Sequence, residues 1–65
     1  MNDVEVRIGT YIKENGLKQS AVAEGIGMSK GMMWRICNGK KAITLQDYYR
    51  LCRFLRVPLE YFVEE

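Results

Sequence analysis

Apolar residues in the first part of the chain recur at the spacing of one helical face. They are Val4, Ile8, Tyr11 and Ile12. Asn2 or Asp3 is a suitable N-cap before them, and Gly16 is a suitable stop after them. The pattern therefore predicts a first helix that buries this face.

A second, shorter helix is predicted from Gln19 to about Glu24. Leu17 is expected to enter the core just before it, and Ala23 is expected to face inward. A residue as small as Ala23 suits a position where two helices cross closely. Gly27 follows where a left-handed residue would end the segment.

The third predicted helix has boundary signals at both ends. Ser29 is a good N-cap ahead of Lys30, and Asn38-Gly39 is a strong terminator after about Cys37. Its inward-facing residues are Met33 and Ile36. Two short helices joined by a few residues that include a glycine have the layout of a helix-turn-helix, here over about residues 19–37.

Thr44 can cap a fourth helix with a marked apolar stripe. The stripe consists of Leu45, Tyr48, Leu51, Cys52 and Leu55. Pro58 is tolerated in a first helical turn and opens a last short helix. That helix contains Leu59, Tyr61 and Phe62. Because no segment alternates like a strand, residues 1–65 are predicted to form a single all-α domain of five helices that share one core.

Composition excludes several classes of protein. The 65 residues are 48% hydrophobic and 28% charged, which is typical of a globular chain, and no apolar run is long enough to span a bilayer. The first residues lack a secretory pattern, so a cytoplasmic location is expected. The sequence has no histidine, and its two cysteines, Cys37 and Cys52, cannot supply the four ligands of a zinc site. We therefore expect no metal, no cofactor, no small-molecule effector and no enzymatic activity.

Charge is concentrated in the middle of the chain. Residues 1–17 and 42–65 each sum to −1, whereas residues 18–41 carry five cations against Glu24 alone, a net +4. A local field of this kind attracts a polyanion.

The distribution of these signals resembles the phage repressor and Cro family, also called XRE-type regulators. The resemblance rests on Gln19-x-x-x-Ala23-x-x-x-Gly27-Met28-Ser29 and on Ile36-x-Asn38-Gly39-Lys40, and the closing Val57-Pro58-Leu59-x-x-Phe62 is in register with them. It extends over nearly the whole chain. It implies a repressor-like fold that binds operator DNA, with the third helix in the major groove and the second across the backbone.

The outward face of the third helix carries the candidate base contacts. They are Ser29, Lys30, Gly31, Trp34 and Arg35. Arg35 is the preferred specificity residue, because its planar fork can donate two hydrogen bonds to guanine. Gly31 would let the backbone approach the groove wall. The alternative for Arg35 is a contact with phosphate alone.

Two residues depart from the family pattern. Trp34 stands where a small or polar residue is usual, and it can either cover a thymine methyl group or lie flat against the protein. Cys37 stands where the family commonly has Glu, so one negative charge is missing close to the phosphates.

Phosphate contacts are expected at the start of the second helix and beyond the third. The candidates are Lys18, Gln19, Asn38, Lys40 and Lys41. Gln19 matches the glutamine with which the family holds one phosphate. For Asn38 an alternative role, a left-handed residue that ends the third helix, stays open.

The sequence thus predicts a transcriptional regulator, with repression favoured because so short a chain leaves little surface for another domain. The predicted partners are double-stranded DNA and, weakly, a second copy of the chain through its C-terminal helix. The predicted dimer contacts are Leu59, Tyr61 and Phe62, with Tyr49 and Phe54 at the rim. Two alternatives remain: an antitoxin or immunity-type autoregulator, and a protein-binding module that uses an apolar patch around Trp34 and Met32-Met33.

Overall fold

A computed structural model describes residues 3–63 of the chain, and all the regular elements in this range are helical. The four α-helices are α1 (Asp3–Glu14), α2 (Gln19–Gly25), α3 (Lys30–Cys37) and α4 (Leu45–Leu55). The predicted all-α fold is confirmed. The last predicted helix is a single 3-10 turn, η1 (Leu59–Phe62), which Pro58 precedes as the N-cap residue.

Two helices begin at the residues that the sequence indicates. The Ser29 Oγ accepts a hydrogen bond from the Met32 backbone N–H at 3.1 Å, which caps α3. The Thr44 Oγ1 accepts one from the Asp47 N–H at 3.2 Å, which caps α4. The proposed N-cap Asn2 lies outside the described residues.

The turn between α2 and α3 depends on Gly27. Its φ of +75° lies in the left-handed region, as the sequence predicts. Immediately after it, the Met28 N–H donates to the Ala23 carbonyl at 2.8 Å. This bond closes the turn onto the end of α2 and fixes the direction in which α3 leaves.

The core lies where the inner faces of all the helices meet. Its buried members are Ile8, Ile12, Val22, Ala23, Ile26, Met33, Cys37, Tyr48, Leu51, Cys52 and Phe62. Two predicted core residues are exposed instead: Leu17 by 41% and Leu45 by 84%. Leu17 lies in the link between α1 and α2, and Leu45 is the first residue of α4, so neither has a full helical turn to hold its side chain against the core.

One buried carboxylate was not anticipated. Glu5 of α1 is only 7% exposed, and its Oε2 accepts a hydrogen bond from the Ile43 backbone N–H at 2.9 Å. A buried carboxylate needs such a partner because desolvation is costly. The bond joins α1 to the segment between α3 and α4.

Helices α1 and α3 approach closely at Gly9. A Cβ atom added there would lie 2.7 Å from the Cys37 carbonyl oxygen and 2.9 Å from the Cys37 Cβ. Gly9 is therefore the residue that allows α1 to support α3 along its inner side.

The C-terminal turn η1 packs against α1 and α4. Phe62 is buried, and its ring meets that of Tyr11 edge to face with centroids 5.6 Å apart. The Tyr48 hydroxyl donates to the Leu59 carbonyl. Phe62 is thus a core residue of the single chain and cannot also serve as a dimer contact. Within residues 3–63, each helix is too short or too polar to cross a membrane.

Candidate nucleic-acid interface

The two sides of α3 have opposite character. Met33 and Ile36 are buried at 0% and 2% exposure and hold the helix to the core. The residues of the opposite side are all exposed: Ser29, Lys30, Gly31, Trp34 and Arg35. We call these five the reading face. The structure therefore brings together on one surface the residues that the sequence predicts as base contacts.

Gly31 has no packing role in the free protein. A Cβ atom added there would find no atom within 4 Å beyond its chain neighbours and the backbone of its own helix, and its φ is not in the left-handed region. Glycine also weakens a helix relative to alanine. The fold itself therefore does not require a glycine at this position.

Trp34 is half exposed, at 51%. About half of this residue's surface is therefore available to a partner, whether the ring stands away from the protein or lies flat with one face covered. Its backbone carbonyl accepts a hydrogen bond from the Asn38 Nδ2 at 2.8 Å. Trp34 therefore presents an apolar surface in the middle of the reading face.

The end of α3 is closed by a glycine in the left-handed conformation. Gly39 has φ +71°, and its N–H donates to the Ile36 carbonyl at 3.0 Å, while the Lys40 N–H donates to the Arg35 carbonyl at 2.8 Å. This pair of bonds is the Schellman arrangement. Asn38 has φ −98°, so the suggestion that Asn38 is the left-handed residue is wrong. Gly39 has that role because it carries no side chain to oppose it.

A groove beside α3 is lined by two of the predicted phosphate contacts. Gln19 at the start of α2 and Asn38 after α3 line the same groove, together with Lys13 near the end of α1. Lys18 is exposed at the adjacent position. Lys13 was not singled out from the sequence. The available signal was its place on the polar side of the first helix, one turn before Gly16.

Lys40 and Lys41 are exposed just beyond α3, and Ala42 follows them at the surface. We call residues 40–42 the basic loop. Lys30 lies at the other end of α3, so the reading face has cationic side chains at both ends. A helix of eight residues is about 12 Å long, comparable to the width of the major groove.

The buried thiol of Cys37, the last residue of α3, adds no negative charge to this surface. Burial raises the pKa of Cys37, so the thiol stays neutral at ordinary pH. Burial also raises the pKa of Cys52 on α4. Both cysteines are free. The position where a Glu is commonly found is therefore uncharged in this chain.

Comparison with known proteins agrees with this geometry. A family model described as helix-turn-helix matches residues 8–62, which is most of the chain. No curated protein and no solved structure matched it. The matched range contains α2, α3 and α4 in full and extends from Ile8 in α1 to Phe62 in η1. The chain therefore belongs to the XRE-type helix-turn-helix family, to which the phage repressors and Cro also belong, and is a DNA-binding regulator.

Proposed function

We propose that the chain recognises a specific operator sequence in double-stranded DNA, with α3 in the major groove and α2 across the backbone. The observation that carries this proposal is the reading face. It is exposed, it has cations at both ends, and Gly31 within it has no packing role in the fold. Such a surface suits close approach to a groove wall.

Within the reading face, Arg35 is proposed as the main base contact. Its side chain is exposed in the last turn of α3, and a guanidinium can donate two hydrogen bonds to guanine O6 and N7. Lys30 is proposed to reach a base edge or a phosphate. Trp34 is proposed to cover a thymine methyl group with its exposed ring. Ser29 can still donate through its hydroxyl although its oxygen accepts the capping bond.

Phosphate contacts are proposed on both sides of this face. Gln19 and Asn38 would bind from the groove that they share, and Lys18, Lys40 and Lys41 would bind as exposed charges. Phosphate contacts of this kind fix the register of a protein on the duplex without reading its sequence. The net +4 of residues 18–41 is the electrostatic support for them.

The regulator is proposed to repress transcription as a weak dimer. A single small domain that reads one half-site gains little specificity, and a second copy about one turn of DNA away is the usual remedy. Leu59 lies in an apolar groove with Leu45 and Tyr49. We call these three residues the C-terminal patch and propose it as the centre of the contact.

The other predicted dimer residues lie around this patch or away from it. Tyr61 is half exposed but packs its ring against Tyr11, so it is proposed only as a peripheral contact. Phe54 lies over Gly25 of α2 and lines a different groove, so we leave it out of the proposed interface.

Selection of bound duplexes from a random pool tests the proposal. The expected result is a two-fold symmetric consensus with half-site centres about 10 base pairs apart. Recovery of sequences no different from the starting pool would contradict sequence-specific recognition.

A second candidate function is docking of a protein on the apolar surface of Trp34. The half-exposed indole favours it, whereas the surrounding cations favour phosphate. Trp34→Ala discriminates the two. Loss of affinity for the selected duplex supports the DNA contact, and full retention of that affinity supports the docking function.

A further inference from the structure

The basic loop stands between two fixed points. At its start, the Lys40 N–H donates to the Arg35 carbonyl at 2.8 Å, which ties the loop to α3. At its end, the Ile43 N–H donates to the Glu5 Oε2 at 2.9 Å, which ties it to α1. Only residues 40–42 between these bonds are fully at the surface.

The hydrogen bond between Glu5 and Ile43, at the end of the loop, requires a carboxylate to be buried. Glu5 is 7% exposed, and placing a carboxylate in such surroundings is unfavourable unless it is well partnered. The Ile43 amide is the backbone donor that it binds, across 38 positions of the sequence. An apolar residue at position 5 would complete the inner face of α1 without this cost.

The contacts around Glu5 show that it bears on the end of the basic loop. Its neighbour Val6 lies beside Gly39, the residue before the basic loop, because a Cβ atom on Gly39 would be 3.0 Å from the Val6 Cγ2. Ile43 is half buried against the core, and Thr44 begins α4 directly after it. Release of the Ile43 amide would therefore free the loop at one end while α3 and α4 keep their own caps.

We propose that Glu5 is a positioning residue for DNA binding: through the Ile43 amide it holds Lys40 and Lys41 where they meet the phosphate backbone. This inference rests on the proposed phosphate contacts of the basic loop. Glu5 itself touches no DNA. A flexible loop would have to be ordered when DNA binds, which costs affinity, whereas a loop held in advance avoids that cost.

The direction in which Glu5→Ala changes DNA affinity distinguishes a positioning role from an effect of charge alone. Glu5→Ala removes a negative charge from a protein that binds a polyanion, so charge alone predicts tighter binding. Positioning predicts the opposite. Glu5→Gln removes the same charge but keeps an oxygen that can accept from the Ile43 N–H, so it should bind DNA at least as well as the parent.

The experiment measures affinity for a labelled mixed-sequence duplex of about 20 base pairs over a range of salt concentrations. The proteins are the parent, Glu5→Ala, Glu5→Gln, Lys40→Ala/Lys41→Ala and the triple variant. Ile8→Val, a small cavity on the same helix away from the loop, is the control for lost stability. All are compared at a temperature at which circular dichroism shows each of them folded.

Glu5→Ala is expected to lower affinity about fivefold to tenfold and to reduce the salt slope by about 0.9 to 1.8, the share of one or two phosphates. Glu5→Gln and Ile8→Val should keep the parent slope. In the variant that lacks both lysines, Glu5→Ala should have no further effect. Amide hydrogen exchange at Ile43 should be faster in Glu5→Ala than in the parent.

Unchanged or tighter binding by Glu5→Ala would overturn the inference, as would an equal loss when both lysines are absent. Failure of the proposed function looks different. Without the phosphate contacts, the parent itself would bind the duplex weakly and without dependence on salt, and without sequence recognition, selection from a random pool would yield no consensus.

Discussion

At the scale of single residues, the two sides of α3 differ: one is buried in the protein and the other is exposed. Met33 and Ile36 are almost completely buried and attach the helix to the core, while Arg35 beside them is exposed. Changes on the outer side are therefore expected to alter DNA binding with little effect on the free energy of unfolding.

Arg35→Ala is expected to weaken binding to the selected duplex by about 1 to 3 kcal/mol and to relax the preference at one base position in each half-site. Lys40→Ala is expected to weaken binding to all sequences alike, because a phosphate contact carries no base information. Affinities for selected and random duplexes check both. An equal loss on the two duplexes with Arg35→Ala would show that Arg35 contacts phosphate only.

Gly31→Ala is expected to separate stability from binding. Alanine should raise the free energy of unfolding by up to about 1 kcal/mol, because the added methyl group would meet nothing within 4 Å outside its own helix and alanine favours the helix. The same methyl group would stand between α3 and the groove wall, so affinity for the selected duplex should fall. Urea denaturation and duplex titration measure the two effects. A more stable variant with parent affinity would remove Gly31 from the interface.

At the scale of the helices, α1 is the support on which the binding surface is built. It approaches α3 at Gly9, and it holds the basic loop through Glu5. Its Lys13 lines the groove that contains Gln19 and Asn38. Damage to α1 should therefore disturb the placement of α3 without touching a residue of the reading face.

Gly9→Ala tests this support. The added Cβ would lie 2.7 Å from the Cys37 carbonyl oxygen, a backbone atom that cannot move without shifting α3. The gain in helix propensity should be outweighed by this overlap, and the free energy of unfolding should fall by about 1 to 3 kcal/mol. Urea denaturation measures it. Gly31→Ala is the matched control, since the same chemical change on the open face of α3 should move stability the other way; a stability gain in both variants would contradict the close approach.

Local signals predicted the helices well and the tertiary contacts poorly. Ser29 and Thr44 cap helices because their side chains act on backbone groups three residues away, and Gly27 adopts its turn for reasons internal to the chain. The exposure of Leu45 and the burial of Glu5 depend on where distant segments lie. Periodicity alone places any apolar residue in the core stripe and any carboxylate outside it, so it cannot find such exceptions.

The candidate site was predictable for a similar reason. The exposure of its members follows from the helical spacing around Met33 and could be predicted, while their contact with DNA stays a prediction. Lys13 and Glu5 were missed, because both belong to α1 and reach the site only through packing of α1 against α3. Phe62 is named among the predicted dimer contacts because the spacing of the last helix shows only that Leu59 or Phe62 must face the core, and the packing of Phe62 against Tyr11 decides which.

At the scale of the whole molecule, the most exposed large apolar side chain of residues 3–63 belongs to the C-terminal patch: Leu45 is 84% exposed and lines a groove with Tyr49 and Leu59. A residue this exposed contributes little to the stability of the single chain. Its replacement therefore tests association without unfolding the protein.

If the chain pairs as proposed, Leu45→Asp is expected to abolish the dimer and to reduce cooperative binding to a duplex with two half-sites, because it places a charge in the proposed apolar contact. Tyr61→Asp, at the periphery, should have a smaller effect. Sedimentation velocity and titration of duplexes with one or two half-sites measure these changes. Unchanged mass and cooperativity in both folded variants would place the interface elsewhere.

The hydrogen bond from the Lys40 N–H to the Arg35 carbonyl has a consequence for the DNA. It fixes the backbone that carries the proposed base contact relative to the backbone that begins the basic loop, so only the side chains can adapt to the local shape of the duplex. The DNA is then expected to supply part of the adjustment by twisting, bending or narrowing a groove, and the energy of that deformation depends on its sequence. Base pairs that the protein never touches, between the two half-sites above all, should therefore influence affinity through their stiffness.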